Sequence, residues 1–338
     1  MDSTDFSNVL VSIIVPAFNV EKFISKCIES LLCQDYNNIE VIVVNDGSTD
    51  KTPDLLSKLC KANSIVRVIH TENQGVSSAR NIGIKESKGV YLVFVDGDDY
   101  LETDFVSYML NLVESTGCDF CLSTECYTNK YEKQSVSSSI KTLNSDDSTA
   151  LLLSPDVVVG CWNKIFKRSF LVSNGISFST SLFYGEGLTF ITQVSQLSIS
   201  VGVGNRKVYN YRRNNEESAT TEFNIEKVYN GEIALLAIKD SIKNESKKID
   251  LMFNYHLSLY RLGALVRIKS SQKGDIYSED YKRWLDYIRK STISNLFYWE
   301  VSAYRKLLMT SGCISPSLLS SLDKVRRRRI MKNSVNGQ

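Results

Sequence analysis

Three aspartates crowd the end of one apolar segment, VFVDGDDYL (93–101). They are Asp96, Asp98 and Asp99, and apolar residues stand on both sides of them. Carboxylates that share a small volume repel one another unless a cation neutralises them. Oxygen ligands with space left for water suit Mg²⁺ or Mn²⁺. Along an extended chain Asp96 and Asp98 point the same way and Asp99 the opposite way, so we predict that the first two bind a divalent cation shared with a phosphate.

Polar residues follow four apolar segments in the same way. The clusters are Phe18-Asn19, Asn45 to Ser48, Glu72 to Gly75 and Asp96 to Asp99. One such cluster alone is typical of a turn. Four of them at one edge of one sheet indicate a ligand site, because ligands of open α/β sheets bind at the carboxyl ends of the strands.

The elements that must position these residues alternate through the first 125 residues. The apolar segments that we expect as strands are 9–18, 39–46, 66–71, 90–96 and 119–124. Helices are expected at 23–32, from Thr52 onward, at 76–87 and at 102–115. This repeated strand–helix–strand order predicts an α/β fold, a Rossmann-like and mostly parallel sheet flanked by helices on both faces.

The remaining sequence predicts a helical C-terminal region. Residues 128–150 are polar and predict an exposed connection. Helical periodicity is expected over 225–243, 249–269, 279–290, 296–309 and 317–331. We therefore predict two parts, 1–222 and 223–338. Aromatic residues at helical spacing in the second part are expected to pack on the first part or on a second subunit, which would make the protein a homo-oligomer.

The composition favours an ordinary soluble globular protein. Forty Lys and Arg residues against 38 Asp and Glu give a net charge of +2, and 43% of the residues are hydrophobic. Nucleic-acid binding is not predicted, because no basic stripe with interleaved aromatic residues is present. The sequence shows neither a run of about 18 apolar residues nor a secretory signal, so we predict a cytoplasmic location. The eight cysteines are expected to be reduced core residues.

Two segments carry a resemblance to a known family. VSIIVPAFNVEKFISKCIESLLCQDYNNIEVIVVNDGSTDKT begins at Val11, and ENQGVSSARNIGIKESKGVYLVFVDGDDYL begins at Glu72. Together they closely resemble the family-2 inverting glycosyltransferases with a GT-A-type fold. The resemblance is dense over about 9–125, is thinner through CWNKIFKRSFL, FYGEGLTF and YNYRRNNEESAT, and fades beyond about 225.

The resemblance implies a reaction. Such enzymes move a hexose or an N-acetylhexosamine from a nucleoside diphosphate donor, usually a UDP-sugar, to a saccharide acceptor with inversion at the anomeric carbon, and they use Mn²⁺ or Mg²⁺. Bacterial relatives build surface polysaccharides such as O-antigen or capsule, typically on lipid-diphosphate-linked acceptors. A nicotinamide-binding oxidoreductase is the rival that the alternating fold permits. It lacks support, because PAFNVEK stands where the G-x-G-x-x-G turn belongs.

The resemblance also implies roles for individual residues. By position, the residues that would contact the base and ribose are Pro16, Phe18, Asn19 and Asp46. Those that would border the donor are Asn73, Gly75 and Arg80. Asp96 and Asp98 are the metal-binding DxD pair, with Asp98 as the direct ligand. The basic residue that faces the diphosphate would be Arg212 or Arg213, and both stay candidates. The residues that would line the acceptor pocket are Trp162, Asn163 and Lys164. A surface salt bridge is the other interpretation of Arg80.

One position departs from the family pattern. The family places an aspartate base directly after a glutamate, but Gly187 follows Glu186 here. Inversion in one displacement needs a base that removes the acceptor proton. Three explanations stay open: Glu186 is the base from a shifted backbone, the sequence is an inactivated variant, or it is a naturally impaired nucleotide-sugar-binding relative. If Glu186 is not the base, we expect it to position the acceptor or the catalytic group.

Six cations lie within nine positions near the C-terminus, from Lys324 to Lys332. A solvated helix end, a nucleic-acid contact and an anionic membrane surface are the three interpretations. The apolar residues between the cations favour the membrane. We therefore predict peripheral binding at the inner face of the plasma membrane.

Overall fold

The structure is a computed structural model, and it describes residues 8–128, 132–134, 139–182, 185–212, 224–243, 246–270, 276–317 and 319. Its strands are β1 (Val11–Ala17), β2 (Ile39–Asp46), β3 (Val66–Thr71), β4 (Tyr91–Phe94), β5 (Tyr100–Leu101), β6 (Phe120–Ser123), β7 (Lys141–Asn144), β8 (Lys164–Lys167), β9 (Ser200–Gly204) and β10 (Tyr209–Asn210). Its helices are α1 (Ile24–Leu32), α2 (Thr52–Ala62), α3 (Val76–Glu86), α4 (Phe105–Thr116), α5 (Ser145–Leu153), α6 (Arg168–Ser173), α7 (Glu186–Leu197), α8 (Ile225–Ser241), α9 (Lys247–Ser270), α10 (Ser278–Asn295) and α11 (Ala303–Ile314).

The predicted α/β fold is confirmed. The main sheet has the strand order β3-β2-β1-β4-β8-β6-β9-β7. β1 lies between β2 and β4 and runs parallel to both. Every residue of β1 is buried, as expected for a strand covered by helices on both faces of the sheet. The carboxyl ends of these parallel strands therefore meet at one edge.

The second half of the sheet departs from the parallel series. β8 pairs antiparallel with both β4 and β6, and β7 pairs antiparallel with β9. The exposed connection predicted over 128–150 is wrong in its second part, because β7 and the start of α5 lie there. Ser148 and Thr149 are buried there although they are polar, because their hydroxyl groups hydrogen-bond with the hydroxyl of Ser195 at 2.7 and 2.9 Å.

A second, two-stranded sheet lies beside the aspartate segment. β5 and β10 pair antiparallel, with Tyr209 opposite Leu101. This pairing brings the chain just after Asp99 to the segment just before Arg212. Strand β5 is too short to have a detectable periodicity, so the sequence did not predict this pairing.

Helices α8 and α9 pack on the first part of the chain, and α10 and α11 pack on α9. α8 contacts α7, and α9 contacts both α5 and α10. The buried side chains of Tyr255, Trp284 and Trp299 belong to the same hydrophobic cluster as Phe94 in the sheet. Of the two packing partners predicted for these aromatic residues, the structure shows the first part of the chain.

α11 begins later than predicted. A helix was expected over 296–309, but residues 296–298 form a turn and the helix begins at Ala303. Ser302 caps it, because its hydroxyl accepts a hydrogen bond from the backbone N–H of Arg305 at 3.4 Å. The capping residue therefore sets the helix start, against the apolar periodicity before it.

The cationic segment Lys324 to Lys332 lies outside the described residues, as does most of the helix predicted over 317–331. Within the described part of the chain, no helix has both the length and the hydrophobicity needed to cross a bilayer. The eight cysteines are free thiols, and five of them are buried as predicted. Cys33 is exposed, so the prediction is wrong there; it follows the last residue of α1.

Candidate active site

The aspartate segment is a turn rather than an extended strand. β4 ends at Phe94, and the backbone N–H of Asp99 donates to the carbonyl of Asp96 at 2.9 Å. The predicted alternation of these side chains is therefore wrong, because alternation requires an extended backbone. The three carboxylates still interact. Burial, and then the charges of Asp96 and Asp98, raise the pKa of Asp99 to about 8.

Asp99 anchors this turn in the protein interior, where it is 1% exposed. One carboxylate oxygen accepts a hydrogen bond from the Tyr209 hydroxyl and the other from the backbone N–H of Arg212, each at 2.8 Å. The Tyr209 oxygen in turn accepts a hydrogen bond from the backbone N–H of Asp96 at 3.2 Å. Asp99 thus fixes the turn and holds residue 212 beside it.

Arg212 is placed to bind an anion. Its guanidinium lies 4.9 Å from the ring centroid of Phe23 and 5.3 Å from that of Tyr100. Its Nε and Nη2 are buried and have no hydrogen-bond partner among the described residues. Charged N–H donors buried without an acceptor are costly, and phosphate oxygens fit the planar guanidinium well. Arg213 lies outside the described residues, so this observation concerns Arg212 alone.

Arg80 links the aspartate turn to Glu186. Its Nη2 donates to Oδ1 of Asp96 at 2.8 Å, and its Nη1 donates to Oε1 of Glu186 at 2.9 Å. The guanidinium also lies 5.3 Å from the ring centroid of Phe178. Because the Arg80 side chain is only 6% exposed, the alternative interpretation of Arg80 as part of a surface salt bridge is excluded. A buried guanidinium between two carboxylates fixes the position of both.

Glu186 and Gly187 open α7 and face different parts of the protein. A Cβ atom at Gly187 would lie 3.4 Å from Cα of Gly160 and 3.5 Å from the backbone nitrogen of Cys161. A side chain at position 187 would therefore point towards the backbone of Gly160 and Cys161. Glu186 faces Arg80. Of these two positions, only residue 186 supplies a carboxylate connected to the aspartate turn.

Asp46 holds the ends of β2 and β3 together. Its Oδ1 accepts hydrogen bonds from the Gln74 backbone N–H at 2.9 Å and the Thr71 hydroxyl at 3.2 Å. Its Oδ2 accepts from the Gly75 backbone N–H at 2.8 Å. The carboxylate is buried and fixes the exposed loop that contains Asn73 and Gly75. Contacts of these three residues with a donor stay predictions.

The end of β1 carries Pro16, Phe18 and Asn19. Pro16 is buried within the strand, whereas Phe18 is 46% exposed. Asn19 has a φ of 51°, and its side-chain oxygen accepts a hydrogen bond from the Thr49 backbone N–H at 2.8 Å. Phe18 therefore presents a ring to solvent at the predicted edge of the sheet. Base and ribose contacts at all three positions stay predictions.

Trp162, Asn163 and Lys164 are all buried. The Trp162 ring stacks on Tyr209 and on Tyr211, with centroids 4.6 and 5.0 Å apart. The Lys164 ammonium donates to the carbonyl of Trp162 at 3.2 Å. Trp162 supports the aspartate turn through Tyr209, and the predicted contact of the three residues with an acceptor stays a prediction.

The carboxylates fit a divalent cation that keeps part of its shell for water or phosphate. In the part of the chain that the structure describes, no group of three or more His, Cys, Asp or Glu side chains could hold a metal ion. Asp96 gives one oxygen to Arg80, and Asp98 belongs to the same turn. Mg²⁺ sites shared with substrate phosphates commonly use one or two carboxylates. The Asp96–Asp98 pair meets that requirement and stays a prediction.

Tyr209 and the anchoring role of Asp99 were not predicted from the sequence. Asp99 stands among similar aspartates, and no local pattern shows which of them is buried. Tyr209 reaches the turn only because β5 pairs with β10. The three-residue spacing from Tyr209 to Arg212 is the one sequence feature that could have suggested a connection.

The sheet, the flanking helices and the polar strand ends define a GT-A-type fold. Residues 1–349 of TarS from S. aureus, solved in complex with UDP-GlcNAc, are similar with a TM-score of 0.67 at 18% identity, over 94% of this chain and 91% of that chain. The mannosyltransferase PcManGT from Pyrobaculum calidifontis, in complex with GDP-Man and Mn²⁺, is similar with a TM-score of 0.56 at 14% identity, over 93% and 87%. Identities this low show the fold alone.

Sequence comparison adds the family. Residues 12–175 match the model described as Glycosyl transferase family 2. The putative glycosyltransferase EpsH of Bacillus subtilis is 28% identical over 327 residues, which cover 93% of this chain and 86% of that protein. The uncharacterized glycosyltransferase EpsJ of the same organism is 47% identical over 116 residues, 33% of this chain and 34% of that protein. These findings identify residues 12–175 as a glycosyl transferase family 2 domain and the protein as a glycosyltransferase, which confirms the resemblance found in its motifs.

Proposed function

We propose that this glycosyltransferase is metal-dependent and inverting, and that it moves a hexose or an N-acetylhexosamine from a UDP-sugar to a saccharide acceptor. The buried and unpaired Nε and Nη2 of Arg212, beside a turn with three aspartates, carry the proposal. A cation-binding carboxylate pair on one side and a guanidinium on the other suit a diphosphate. The TarS structures with UDP and with UDP-GlcNAc support a uridine donor, and the PcManGT structure with Mn²⁺ supports the metal.

The chain's own residues would bind the donor at two ends. Phe18 offers an exposed ring for the base, and the loop fixed by Asp46 borders the nucleoside. At the other end, Arg212 donates hydrogen bonds to phosphate oxygens, and its place between two rings limits its reorganisation. A divalent cation held by Asp96 and Asp98 would neutralise negative charge on the departing diphosphate.

Inversion also requires a group that takes the proton of the acceptor hydroxyl. We assign this role to Glu186, because it is the carboxylate that Arg80 connects to the aspartate turn. Arg80 is a positioning residue, since it contacts Glu186 and Asp96 at the same time. Trp162, Asn163 and Lys164 are assigned to the support of the acceptor side.

Gly187 favours a second candidate, a nucleotide-sugar-binding protein with impaired catalysis. A family member that has lost its aspartate base keeps the donor site and loses the proton acceptor. Such a protein would bind UDP in the presence of Mn²⁺ without turnover.

A transfer assay separates the two candidates. UDP release is measured with Mn²⁺, a panel of UDP-sugars and a lipid-diphosphate-linked saccharide. The first candidate predicts release that needs both metal and acceptor. It also predicts that Glu186→Gln lowers the rate by about 100-fold or more while UDP affinity is kept. Binding of UDP by the unaltered chain without turnover would contradict the first candidate.

Gly187→Asp tests the assignment of the base. If Glu186 is the base, we expect the added aspartate to change the transfer rate by less than about tenfold, because the side of residue 187 faces the Gly160–Cys161 backbone. Gly187→Asn is the uncharged control of the same shape. A gain of about 100-fold with Asp but not with Asn would contradict Glu186 as the base.

Surface polysaccharide synthesis at a membrane is the setting that we propose for this reaction, with the protein bound peripherally through anionic lipid. The cations from Lys324 to Lys332 support it, although they lie outside the described residues. Tyr304, Leu307 and Ile314 on α11 are 73%, 64% and 76% exposed, and their spacing places them on one face of the helix. Deleting residues 323–338 should release the protein from anionic liposomes, and unchanged binding would contradict the attachment. Homo-oligomer formation through these helices stays a prediction.

A further inference from the structure

A cavity of about 320 Å³ lies where residues 153–159 meet helices α8 and α9. Most of its lining is apolar, and the residues include Leu153, Pro155, Val157, Val228 and Leu259. This size and this apolar character are typical of sites for small molecules. The cavity lies outside the aspartate turn, and none of the predicted donor residues lines it.

Two polar groups in the lining have unused hydrogen-bonding capacity. Tyr255 is 1% exposed, and its hydroxyl has no hydrogen-bond partner among the described residues. Arg267 is exposed in the last turn of α9 and forms no ion pair with any residue that the structure describes. A buried hydroxyl without a partner is destabilising, so a polar ligand atom beside Tyr255 would be stabilising.

Arg267 is the single charged residue in the described lining of the cavity. The other titratable base there is His256, whose Nδ1 donates to the carbonyl of Leu153 at 2.8 Å. Burial lowers the pKa of His256, so its ring is neutral at pH 7. An apolar cavity with one guanidinium and no carboxylate fits a molecule that joins an apolar chain to an anionic group.

The cavity shares two walls with the surroundings of Glu186. Val157 and Val159 line the cavity, and the chain continues from them to Gly160, whose Cα lies against residue 187. On the other wall, α8 supplies Val228 to the cavity and packs against the N-terminal end of α7. The cavity therefore lies on the side of the site to which the acceptor is assigned.

We propose that this cavity binds the apolar chain of a lipid-linked acceptor, with the acceptor's phosphate paired to Arg267. The inference rests on the proposed function, since it extends the acceptor side of the same site. The bound class is an alkyl or polyprenyl phosphate. A neutral lipid lacks the group that pairs with Arg267, and a free phosphate lacks the chain that fills the cavity.

Binding of dodecyl phosphate below its micelle concentration tests the proposal without any donor. Calorimetry should show saturable binding to the intact chain, at least about tenfold tighter than binding of dodecyl maltoside. Inorganic phosphate should show no saturable binding at the same concentrations. Equal affinity for the two dodecyl compounds would contradict the pairing with Arg267.

Variants at Gly263 locate the binding site. Gly263 lines the cavity, and a Cβ atom there would meet no heavy atom within 4 Å. Gly263→Leu should weaken dodecyl phosphate binding by about tenfold or more, because the added side chain occupies the space of the lipid. Gly263→Ala is the matched control and should bind within about threefold of the intact chain. Equal binding by the Leu and Ala variants would overturn the site.

Arg267→Gln should weaken dodecyl phosphate by about tenfold and leave dodecyl maltoside unchanged. Lys269→Gln removes a cation from the same turn of α9 outside the cavity lining and should change neither affinity. UDP binding with Mn²⁺, measured on the same samples, reports the donor site and correct folding. If dodecyl phosphate binds as stated but no sugar is transferred, the proposed function fails and the lipid site stands. If transfer occurs but dodecyl phosphate does not bind, the lipid site fails alone.

Discussion

Lys164 is a buried amine whose described hydrogen bond goes to the carbonyl of Trp162. It is 1% exposed, and burial lowers its pKa from 10.5 to about 8, because the charged form is desolvated. Between about pH 8 and pH 10.5 the unfolded chain therefore binds more protons at this group than the folded chain does. The contribution of Lys164 to the free energy of unfolding consequently rises with pH through that window.

Lys164→Met removes this titration. We expect the free energy of unfolding of the intact chain to rise by about 2–3 kcal/mol relative to that of the variant between about pH 8 and pH 10.5. Urea unfolding over that range measures the difference. Lys167→Met is the control, because Lys167 is 41% exposed and pairs with Asp119 at the surface, so it should follow the pH dependence of the intact chain. If the free energy of unfolding changed with pH in the same way for all three proteins, the Lys164 amine would not be desolvated.

Single residues show what could be predicted of the site and what could not. The polar character of Asp46, Asp96 and Arg80 is evident in the sequence, and the structure places them around the same strand ends. The burial of Asp46 and Arg80 is not evident, because it depends on partners far along the chain. Arg80 meets Glu186 across 106 positions, and no local pattern contains that contact.

The N-terminal end of α7 determines where Glu186 lies, and α8 packs directly against this helix end. Gly185 precedes the helix with a φ of 88°. A Cβ atom at this position would lie 2.8 Å from the Cβ of Ala234 on α8. Glycine is therefore required at residue 185 both by the backbone conformation and by the closeness of α8.

Gly185→Ala should be destabilising and should lower transfer activity, because the clash with α8 moves Glu186. Gly117→Ala is the matched control: its φ is 65°, but a Cβ atom there meets nothing within 4 Å. The free energy of unfolding of the control should fall by about 1 kcal/mol because of the left-handed backbone alone. That of Gly185→Ala should fall by about 1–3 kcal/mol more. Chemical denaturation and UDP release measure the two effects. Equal destabilisation with equal activity would mean that α8 does not constrain this helix end.

Helices and strands could be predicted where their hydrophobic pattern extends over many residues. The predicted strands 39–46 and 66–71 coincide with β2 and β3, because continuous branched apolar runs suit buried parallel strands. β7, β8 and the β5–β10 pair were not predicted as observed. They are short and pair with strands distant in sequence, so their partners rather than their own residues determine them.

At the scale of the whole molecule, the C-terminal helices join the active-site region to an exposed apolar surface. α8 packs on α7, whereas α11 exposes Tyr304, Leu307 and Ile314. Exposed apolar residues on one helix face favour insertion into the interface of a bilayer. We therefore propose that α11 forms part of the membrane-binding surface.

Leu307→Glu should weaken binding to anionic liposomes by about tenfold or more, because it adds a negative charge and removes an inserted side chain. Val172→Glu is the control, since Val172 is 56% exposed on a different helix, α6. Co-sedimentation with liposomes that contain anionic lipid measures both. Equal loss in the two variants would indicate a general charge effect, and no loss in either would exclude α11 from the contact.

The proposed function requires a nucleoside diphosphate to bind between Arg212 and a cation held by the aspartate turn. Calorimetric titration with UDP measures this binding. We predict binding that needs Mn²⁺, is abolished by Asp98→Asn, and is weakened about 10- to 100-fold by Arg212→Gln. Arg206→Gln, which alters a partly exposed arginine paired with Asp104, should bind as the intact chain does. Absence of Mn²⁺-dependent binding, or unchanged affinity in both Asp98→Asn and Arg212→Gln, would exclude this mode of donor binding.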